Sequence, residues 1–452
     1  MIAPVTPRRE IGFWTAVSLV VGSMIGSGVF LLPANLAPYG GISLIGWMVT
    51  AAGSIMLALS FAHLARRNPA AGGLYAYTRD SFGDFAGFLV AWGYWISMWS
   101  ANAAIAIAFA GYAGPLFLDL TGSPAGTPIA PMTGAAIAIA AIWFLTGVNA
   151  LGVGAAGRVQ VVTTALKLLP LAVISIAGLF YFDASRFAIP DPMTPLGEGQ
   201  TVGAFGSALM TVMTLTLFAF LGLEAATIPA ESVENADRTI PRATIVGTIA
   251  TALIYVASTA AVMSLVAPDV LAKSTAPFAD AARVIAGDWL GRLIGVGAAI
   301  SAFGALNGWI LVVSQLPMAV ARDRMFPSVF AKVNAKGTPI AGMLIAAVLS
   351  SALVILNFSG EGLAKIYGKT ILLSTLATLL PYSFCSLAVF LLRGRRITAG
   401  AGAATVGTLG FIYACFAIYG AGAETVFLGF LLLVASLPVY VWIAGQRPHS
   451  RQ

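Results

Sequence analysis

Two glycine-containing stretches of the chain are predicted to interrupt helices and to free backbone hydrogen-bonding groups. The first is residues 21–30, VGSMIGSGVF, and the second is residues 218–224, FAFLGLE. Glycine weakens a helix by up to about 1 kcal/mol relative to alanine. Freed N–H groups at the start of a half-helix, together with the hydroxyl of Ser27, suit a carboxylate. Freed carbonyls before Gly222 suit an ammonium group. The chemistry indicated is the capture of both ends of an α-amino acid.

A stripe of side chains and one tryptophan are candidates for recognising the rest of a substrate. With spacings of 4, 4 and 3 residues, one face of a predicted helix carries Tyr94, Met98, Asn102 and Ile105. Trp309 lies midway along another apolar run. Its ring face can hold a guanidinium or ammonium group by a cation–π attraction of about 2 kcal/mol when desolvated, and Asn102 offers an amide oxygen to the same group. Helix packing is the alternative for the stripe, and packing or interfacial anchoring is the alternative for Trp309.

Two ionisable side chains within apolar runs are candidates for gating or coupling. Glu224 lies deep within its run, where an acidic group costs roughly 2.5–3.5 kcal/mol on insertion scales and by default marks a pathway or relay. The alternative is a structural carboxylate bonded to a broken helix. Lys167 lies in the fifth run. Because burial disfavours the charged form of a lysine, Lys167 is a candidate proton-coupling group; the alternative is a lysine that snorkels to the interface.

The composition indicates that a membrane positions these groups. Of the 452 residues, 59% are hydrophobic and 9% are charged, against about 25% charged residues in an average soluble protein. A spanning helix needs about 20 mainly apolar residues, and the apolar runs suit twelve. The predicted spans are 11–36, 42–64, 85–113, 129–152, 157–181, 201–230, 243–266, 289–321, 338–358, 362–392, 399–420 and 425–445. The fold class predicted is an all-α integral membrane protein without a large soluble domain.

Residue counts and missing patterns exclude several classes of function. Two cysteines and two histidines are too few for a disulfide framework or a multi-histidine site. The sequence has no Gly-x-x-x-x-Gly-Lys-Ser/Thr pattern for nucleotides, no repeated filter for ions and no basic–aromatic pattern for nucleic acid. We therefore expect no cofactor, no metal, no enzymatic activity and no nucleic-acid partner. A receptor that binds amino acids without moving them stays open as an alternative.

The distribution of positive charge predicts the orientation of the chain. With both termini on one side, seventeen of the 24 Lys and Arg residues fall on that side and six on the other, while Lys167 lies within a span. Both termini are therefore predicted to be cytoplasmic. Interruptions in the first and sixth spans predict two five-helix units of opposite sense, residues 11–181 and 201–392, followed by two further helices at 399–445. The alternative is that the glycines only let neighbouring helices approach closely.

Several motifs resemble those of a known transporter superfamily. They are residues 26–36 (GSGVFLLPANL), the loop 69–77 (PAAGGLYAY), 231–241 (ESVENADRTIP), 276–283 (APFADAAR) and matching positions within 326–339. On these residues the chain resembles the amino acid–polyamine–organocation (APC) transporters over nearly its whole length. Within them it is most similar to the bacterial basic amino acid/polyamine antiporters, above all to the arginine/agmatine antiporters. The resemblance implies an inner-membrane exchanger in the lipid bilayer, alternating access around a midplane site, a small amino acid or amine as substrate, and a homodimer.

The resemblance also assigns roles to residues of this sequence. It implies that Ser27 and Gly28 bind the substrate carboxylate, that carbonyls around Met24 and residues 218–221 bind the amine, and that Trp309 and Asn102 contact a guanidinium group. Together with the helical stripe, the expected substrate-binding residues are Ser23, Met24, Ser27, Gly28, Met98, Asn102, Ile105, Phe218, Leu221 and Trp309. The expected gate beneath the substrate consists of Tyr94, Glu224 and Tyr382.

Three positions depart from the pattern of the arginine/agmatine antiporters. Lys167 stands where they have a small apolar residue, and it is similar to a lysine of sodium-independent neutral amino acid carriers in the superfamily. Ser23 and Phe218 stand where they have Asn and Trp, so Phe218 lacks an indole N–H donor. We expect exchange of arginine for agmatine, or of a related basic amino acid and polyamine. A neutral or broad-range amino acid carrier, proton-coupled through Lys167, is the alternative.

Overall fold

A computed structural model gives an almost entirely helical chain. It describes residues 12–26, 28–67, 73–120, 129–151, 170–178, 180–197, 200–224, 233–335, 337–356, 363–392, 395–396 and 400–446. The helices are α1 (Phe13–Met24), α2 (Gly28–Leu36), α3 (Gly41–Arg67), α4 (Gly73–Phe82), α5 (Asp84–Leu120), α6 (Pro131–Ala150), α7 (170–178), α8 (Phe205–Leu217), α9 (Ala236–Leu265), α10 (Pro268–Leu271), α11 (Pro277–Ala286), α12 (Asp288–Arg322), α13 (Ile340–Leu356), α14 (Leu363–Ala388), α15 (Ala401–Gly420), α16 (Ala423–Val434) and α17 (Leu437–Gly445). Two short antiparallel hairpins were not predicted: β1 (Pro195–Gly197) with β2 (Gln200–Thr201), and β3 (Leu391–Leu392) with β4 (Arg395–Arg396).

Within the described residues, eight helical segments are long and apolar enough to cross a membrane. They are α3, α5, α6, α9, α12, α14, α15 and the joined α16 and α17. The bent pair of α1 and α2 makes a ninth if it is one span, and α8 and α13 are shorter apolar helices. Each overlaps a predicted span, whereas residues 157–169 of the fifth predicted span lie outside the described residues. The all-helical membrane class is confirmed, and the count of twelve spans stays a prediction.

Helix α5 runs through the middle of the packed helices and contacts α12, α14, α6 and α13. The peripheral helices are much less buried than α5. In the most apolar 18-residue stretch of each, only 28% of α15 and 17% of the joined α16 and α17 are buried. Large apolar side chains such as Leu253, Phe427 and Trp442 are exposed, as expected for surfaces that face hydrocarbon rather than water.

The N-terminal end of α5 is tied to the end of α12 by an ionic cluster. Arg79 of α4 donates from Nε to Asp84 at 2.8 Å and from Nη1 to Asp323 at 3.0 Å. The hydroxyl of Tyr75 donates to the same Asp323 oxygen at 3.0 Å. Burial, with the Asp323 carboxylate, raises the pKa of Tyr75 well above its ordinary value of about 10, so that the phenol stays a neutral donor even in alkaline solution.

The expectation of a loop over residues 69–77 was wrong for its second half. Residues 73–77 begin helix α4, which carries Arg79 and buries Leu74, Tyr75 and Tyr77. This helix contains no long apolar run, and a search for membrane spans therefore passes over it. The short helices α10 and α11 were missed for the same reason.

The C-terminal end of α5 is joined to two other elements by Tyr112. Its hydroxyl donates to the carbonyl of Phe30 on α2 at 2.6 Å and accepts from the backbone N–H of Phe278 on α11 at 3.2 Å. The rings of Phe30 and Phe278 also meet edge to face, with centroids 5.2 Å apart. The Arg79 cluster and the Tyr112 cluster therefore mark opposite ends of α5.

The first glycine-rich stretch forms a break between α1 and α2, which meet at a bend of 43°. The break is narrower than the glycine-containing stretch 21–30, because α1 continues through Gly22 to Met24 and α2 begins at Gly28. Ile25 still donates its N–H to the carbonyl of Val21 at 2.9 Å, which closes the last turn of α1. Ser27 lies outside the described residues.

The second stretch also ends a helix. Helix α8 stops at Leu217, a 3₁₀ turn follows at Phe218–Phe220, and turns occupy residues 221–224. Gly222 has φ +104°, in the left-handed region that side chains disfavour, and a Cβ added there would lie 3.0 Å from the Ser23 Cβ. A Cβ added to Gly28 would lie 3.1 Å from the Cα of Ala219. The two breaks therefore pack directly on each other, so the glycines serve both helix interruption and close approach.

Candidate functional site

A small cavity lies between the two breaks and helices α5 and α12. Its lining residues are Ser23, Met24, Gly26, Gly28, Ala101, Ile105, Phe218, Leu221 and Trp309. Seven of these nine positions belong to the substrate-binding set expected from the sequence. Gly26 and Ala101 were missed: Gly26 is a small residue packed near Ala305, and Ala101 offers no polar group that a sequence search would select.

The face of α5 toward the cavity differs from the predicted stripe. Ala101 and Ile105 line the cavity, whereas Met98 and Asn102 are buried beside it without lining it. Within the described part of the chain, the side-chain oxygen of Asn102 has no hydrogen-bond partner, and an amide oxygen buried in this way is costly unless it finds a donor. Asn102 therefore remains available to a cationic group, one helical position away from the wall.

Hydroxyl groups already occupy several backbone groups of the first break. Ser23 donates from Oγ to the carbonyl of Leu19 at 2.7 Å within α1, which leaves its oxygen free to accept a bond. The carbonyl of Met24 accepts from the hydroxyl of Tyr255 at 2.6 Å, and the carbonyl of Gly28 accepts from that of Tyr367 at 3.1 Å. Tyr255 thus replaces the helical donor that the break removes at Met24, whereas Tyr367 adds a second donor to the carbonyl of the first residue of α2.

Carbonyls of the second break are less free than the sequence predicted. The carbonyl of Phe218 accepts from the N–H of Leu221, and that of Phe220 accepts from the N–H of Leu223, each at 3.2 Å. The carbonyl of Ala219 accepts from Tyr255 at 3.0 Å. A 3₁₀ turn satisfies its own carbonyls, which glycine content alone does not reveal. Each carbonyl oxygen still has a second lone pair, which can accept a further hydrogen bond.

Trp309 is partly buried in the core and borders the cavity. Two residues before it, Asn307 faces away toward α6, where Asn149 donates from Nδ2 to its side-chain oxygen at 3.0 Å. Across the cavity the ring of Phe218 lies edge to face with Tyr367, with centroids 6.1 Å apart. Asn307 is therefore part of the contact between α12 and α6.

Tyr94, Glu224 and Tyr382 are brought together as one buried cluster. Glu224 is 1% exposed; it accepts from the hydroxyl of Tyr94 at Oε1 and from that of Tyr382 at Oε2, the latter at 2.7 Å. Two phenol donors, one on each oxygen, and the backbone N–H groups of Gly222 and Glu224 supply the bonds that a buried carboxylate requires. Tyr94 lies seven residues before Ala101 on α5, about 10 Å toward the Arg79 end. The role of this cluster as a gate stays a prediction.

A group of hydroxyls beside this cluster was not predicted. Ser374 of α14 donates to the carbonyl of Ser97 on α5 at 2.9 Å, and the Ser97 hydroxyl also contacts that of Thr378. Ser374, Thr378 and Tyr382 are spaced by four residues, a signal that was present in the sequence. These contacts fix the register of α14 on α5 and so hold Tyr382 opposite Tyr94.

Two expected functional residues, Ser27 and Lys167, lie outside the described residues, and the roles expected for them therefore stay predictions. Among the residues that are described, no group of three or more His, Cys, Asp or Glu side chains is close enough to hold a metal ion.

Comparison with known proteins identifies the family. A family model for amino acid permeases matches residues 11–449. The cadaverine/lysine antiporter of Escherichia coli (strain K12) is 31% identical over 451 residues, which cover 98% of this chain and 96% of that protein. The putrescine transporter PotE of Haemophilus influenzae is 32% identical over 440 residues, 96% of this chain and 97% of that protein. A Bacillus subtilis protein assigned as an arginine/ornithine antiporter is 31% identical over 474 aligned residues, 98% and 99% of the two chains. The chain therefore belongs to the amino acid permease family, as its resemblance to the basic amino acid/polyamine antiporters of the APC superfamily predicted.

Proposed function

We propose that the protein is an antiporter that exchanges a basic amino acid for an amine across the inner membrane. The observation that carries the proposal is the position of Trp309 in a cavity bordered by both helix breaks. The breaks supply groups for an α-carboxylate and an α-ammonium, and the indole supplies a face for a second cation. Relatives of nearly the same length are named for cadaverine and lysine, for putrescine, and for arginine and ornithine, which supports this class of substrate.

Each part of the cavity has a proposed role. The N-terminus of α2 at Gly28, with Ser27, receives the carboxylate of the amino acid. The carbonyls of Met24 and of the second break receive the ammonium group. Trp309 and the side-chain oxygen of Asn102, which has no hydrogen-bond partner among the described residues, receive the side-chain cation. An amine without a carboxylate uses the last two sites alone, so both exchanged solutes fit one cavity.

Arginine and agmatine form the exchange pair to be tested first. Agmatine is arginine without its carboxylate, and the same relation joins lysine to cadaverine and ornithine to putrescine. Exchange of such a pair exports one net positive charge per cycle, and this charge export supports resistance to acid. The gradients of the two solutes drive the exchange, without ATP.

The proposed architecture has twelve spans, with residues 11–181 and 201–392 as inverted five-helix repeats and 399–445 as two further helices. Both termini are cytoplasmic, and the protein is a homodimer. Arg79 and Asp323, which follow the second and eighth spans, meet at one end of α5. Phe30, at the start of α2, and Phe278, between the seventh and eighth spans, meet Tyr112 at the other end. These contacts support the predicted alternation of the spans. The distribution of Lys and Arg then makes the Arg79 end cytoplasmic in this proposal, and the cluster of Glu224 closes the cavity on that side.

The test is uptake of radiolabelled arginine, lysine and alanine by proteoliposomes loaded with agmatine, cadaverine, arginine, alanine or buffer alone. We expect arginine uptake into vesicles loaded with agmatine or arginine and little into empty or alanine-loaded vesicles. Uptake of lysine into cadaverine-loaded vesicles, without arginine uptake, would replace arginine and agmatine by lysine and cadaverine as the exchanged pair. The protein would still be an antiporter for a basic amino acid and an amine. Alanine exchange abolished by Lys167→Ala, with no transport of basic amino acids, would overturn the proposal in favour of a neutral carrier.

A further inference from the structure

Tyr255 of α9 lies between the two helix breaks and is fully buried. Its ring packs against Trp47 of α3, with centroids 5.3 Å apart, and against Phe220 of the second break, at 5.6 Å. Trp47 and Phe220 also contact each other at 5.9 Å. The packing of these three rings on one another therefore fixes the position of the Tyr255 hydroxyl.

The hydroxyl reaches one carbonyl of each break. It lies 2.6 Å from the carbonyl oxygen of Met24 and 3.0 Å from that of Ala219. These two carbonyls belong to segments 195 residues apart in sequence, yet the segments are in van der Waals contact at Gly28 and Ala219. Met24 lines the cavity, and so does Phe218, the residue before Ala219.

A phenol has a single hydrogen to donate, so two acceptors share one donor. Neither carbonyl is fully satisfied by Tyr255 alone, and an unsatisfied carbonyl is costly at membrane depth. An ammonium group carries three donors and would complete the bonds of carbonyls held at this spacing. Tyr255 thus fixes the distance between two carbonyls without exhausting their capacity to accept.

We infer that Tyr255 is a positioning residue that holds the ammonium-binding carbonyls of both breaks as one unit. The inference rests on the proposed function, in which these breaks bind the substrate ammonium. Tyr255 does not contact the substrate in this arrangement; it acts through Met24 and Ala219. Its loss lets the two breaks separate, which weakens the capture of any substrate with a primary ammonium, whether or not that substrate has a carboxylate.

The test compares Tyr255→Phe with wild type in arginine and agmatine exchange. Loss of the shared hydrogen bond should raise the KM for both solutes about tenfold, the change expected for one net hydrogen bond of about 1.4 kcal/mol. The maximal rate should change by less than about twofold, because the substitution is expected to leave the conformational change that moves the substrate across the membrane unaltered. Tyr413→Phe is the matched control, because Tyr413 is a buried tyrosine of α15 packed against Gly53, and its KM values should equal those of wild type.

A rescue variant separates positioning from general structural damage. Tyr255→4-aminophenylalanine carries two N–H donors at the same place, one for each carbonyl, and should restore both KM values to within about twofold of wild type. If Tyr255→Phe does not fold, Tyr255→4-fluorophenylalanine fills the phenol volume without a donor and takes its place. Wild-type KM values in the variant that lacks the donor, or no difference between the amino and fluoro variants, overturn the inference. A wild-type protein that exchanges neither solute overturns the proposed function itself.

Discussion

Replacement of Trp309 by leucine removes the indole face that α12 presents to the cavity. Leucine keeps an apolar group at the wall but has no π face. The described residues that line the cavity include no carboxylate: they are serine, glycine, apolar residues and Trp309. Under the proposed function, a substrate cation would have no ion-pair partner among them, and we expect Trp309 to supply the largest single attraction for it, with Asn102 in second place.

The magnitude follows from that setting. A desolvated cation–π contact contributes about 2 kcal/mol, and each 1.4 kcal/mol is a tenfold change in affinity. Trp309→Leu should therefore weaken the binding of arginine and agmatine by about 30-fold. Trp309→Phe, which retains a weaker π face, should fall between leucine and tryptophan. Binding of alanine, which has no side-chain cation, should change by less than about threefold where it is measurable.

Isothermal titration of purified protein in detergent measures these dissociation constants directly. Trp289→Leu is the matched control, because Trp289 lies on the same helix but is 65% exposed and distant from the cavity wall; its affinities should equal those of wild type. An arginine affinity in Trp309→Leu within threefold of wild type would refute the reasoning. Equal losses for arginine and alanine would mean that Trp309 only shapes the cavity.

Three further results are expected. Tyr382→Phe removes one of the two phenol donors to Glu224, a bond to a charged group of roughly 1.5–3 kcal/mol, and should increase arginine leak into unloaded vesicles; an unchanged leak would speak against a gate. Gly222→Ala places a Cβ at φ +104° and 3.0 Å from the neighbouring break, so it should destabilise the protein by at least about 1 kcal/mol in thermal denaturation; Gly206→Ala, in open space on α8, should not, and equal melting temperatures would contradict the packing. Asp323→Asn breaks an ion pair whose side chains are 35% and 45% exposed, so it should lower the free energy of unfolding by less than about 1 kcal/mol. A loss of stability as large as that of Gly222→Ala would show that this ion pair is stronger than its exposure indicates.

The two helix breaks and the approximate position of the cavity could be predicted from residue types alone. Glycines that interrupt an apolar run, and a carboxylate at membrane depth, are each compatible with only a few structural roles. The cavity wall on α5 was harder to predict. Tyr94, Met98, Asn102 and Ile105 share a stripe by spacing, but the rotation of a helix against its neighbours is decided by packing over its whole length. The register of α14, set by Ser374 and Thr378, is one such determinant.

Backbone hydrogen bonding limited the prediction in the same way. The sequence indicates where a helix can break but not which donor then satisfies each carbonyl. Tyr255 lies 231 residues from Met24 in sequence, and only the packed helices bring the two together. Helix α4 was missed because it is held by the burial of separate side chains, such as Leu74, Tyr75 and Tyr77, rather than by a continuous apolar run.

Helix α5 is longer than the membrane is thick, so a small tilt would move its two ends by a large distance. Its 37 residues, at a rise of 1.5 Å each, form a rod of about 55 Å, well beyond the roughly 30 Å of hydrocarbon that a bilayer provides. Its midpoint falls at Asn102, beside the wall residues Ala101 and Ile105. A tilt of about 10° around that point would sweep each tip through about 5 Å. The cavity therefore lies near the midpoint of α5, where such a tilt would displace the helix least.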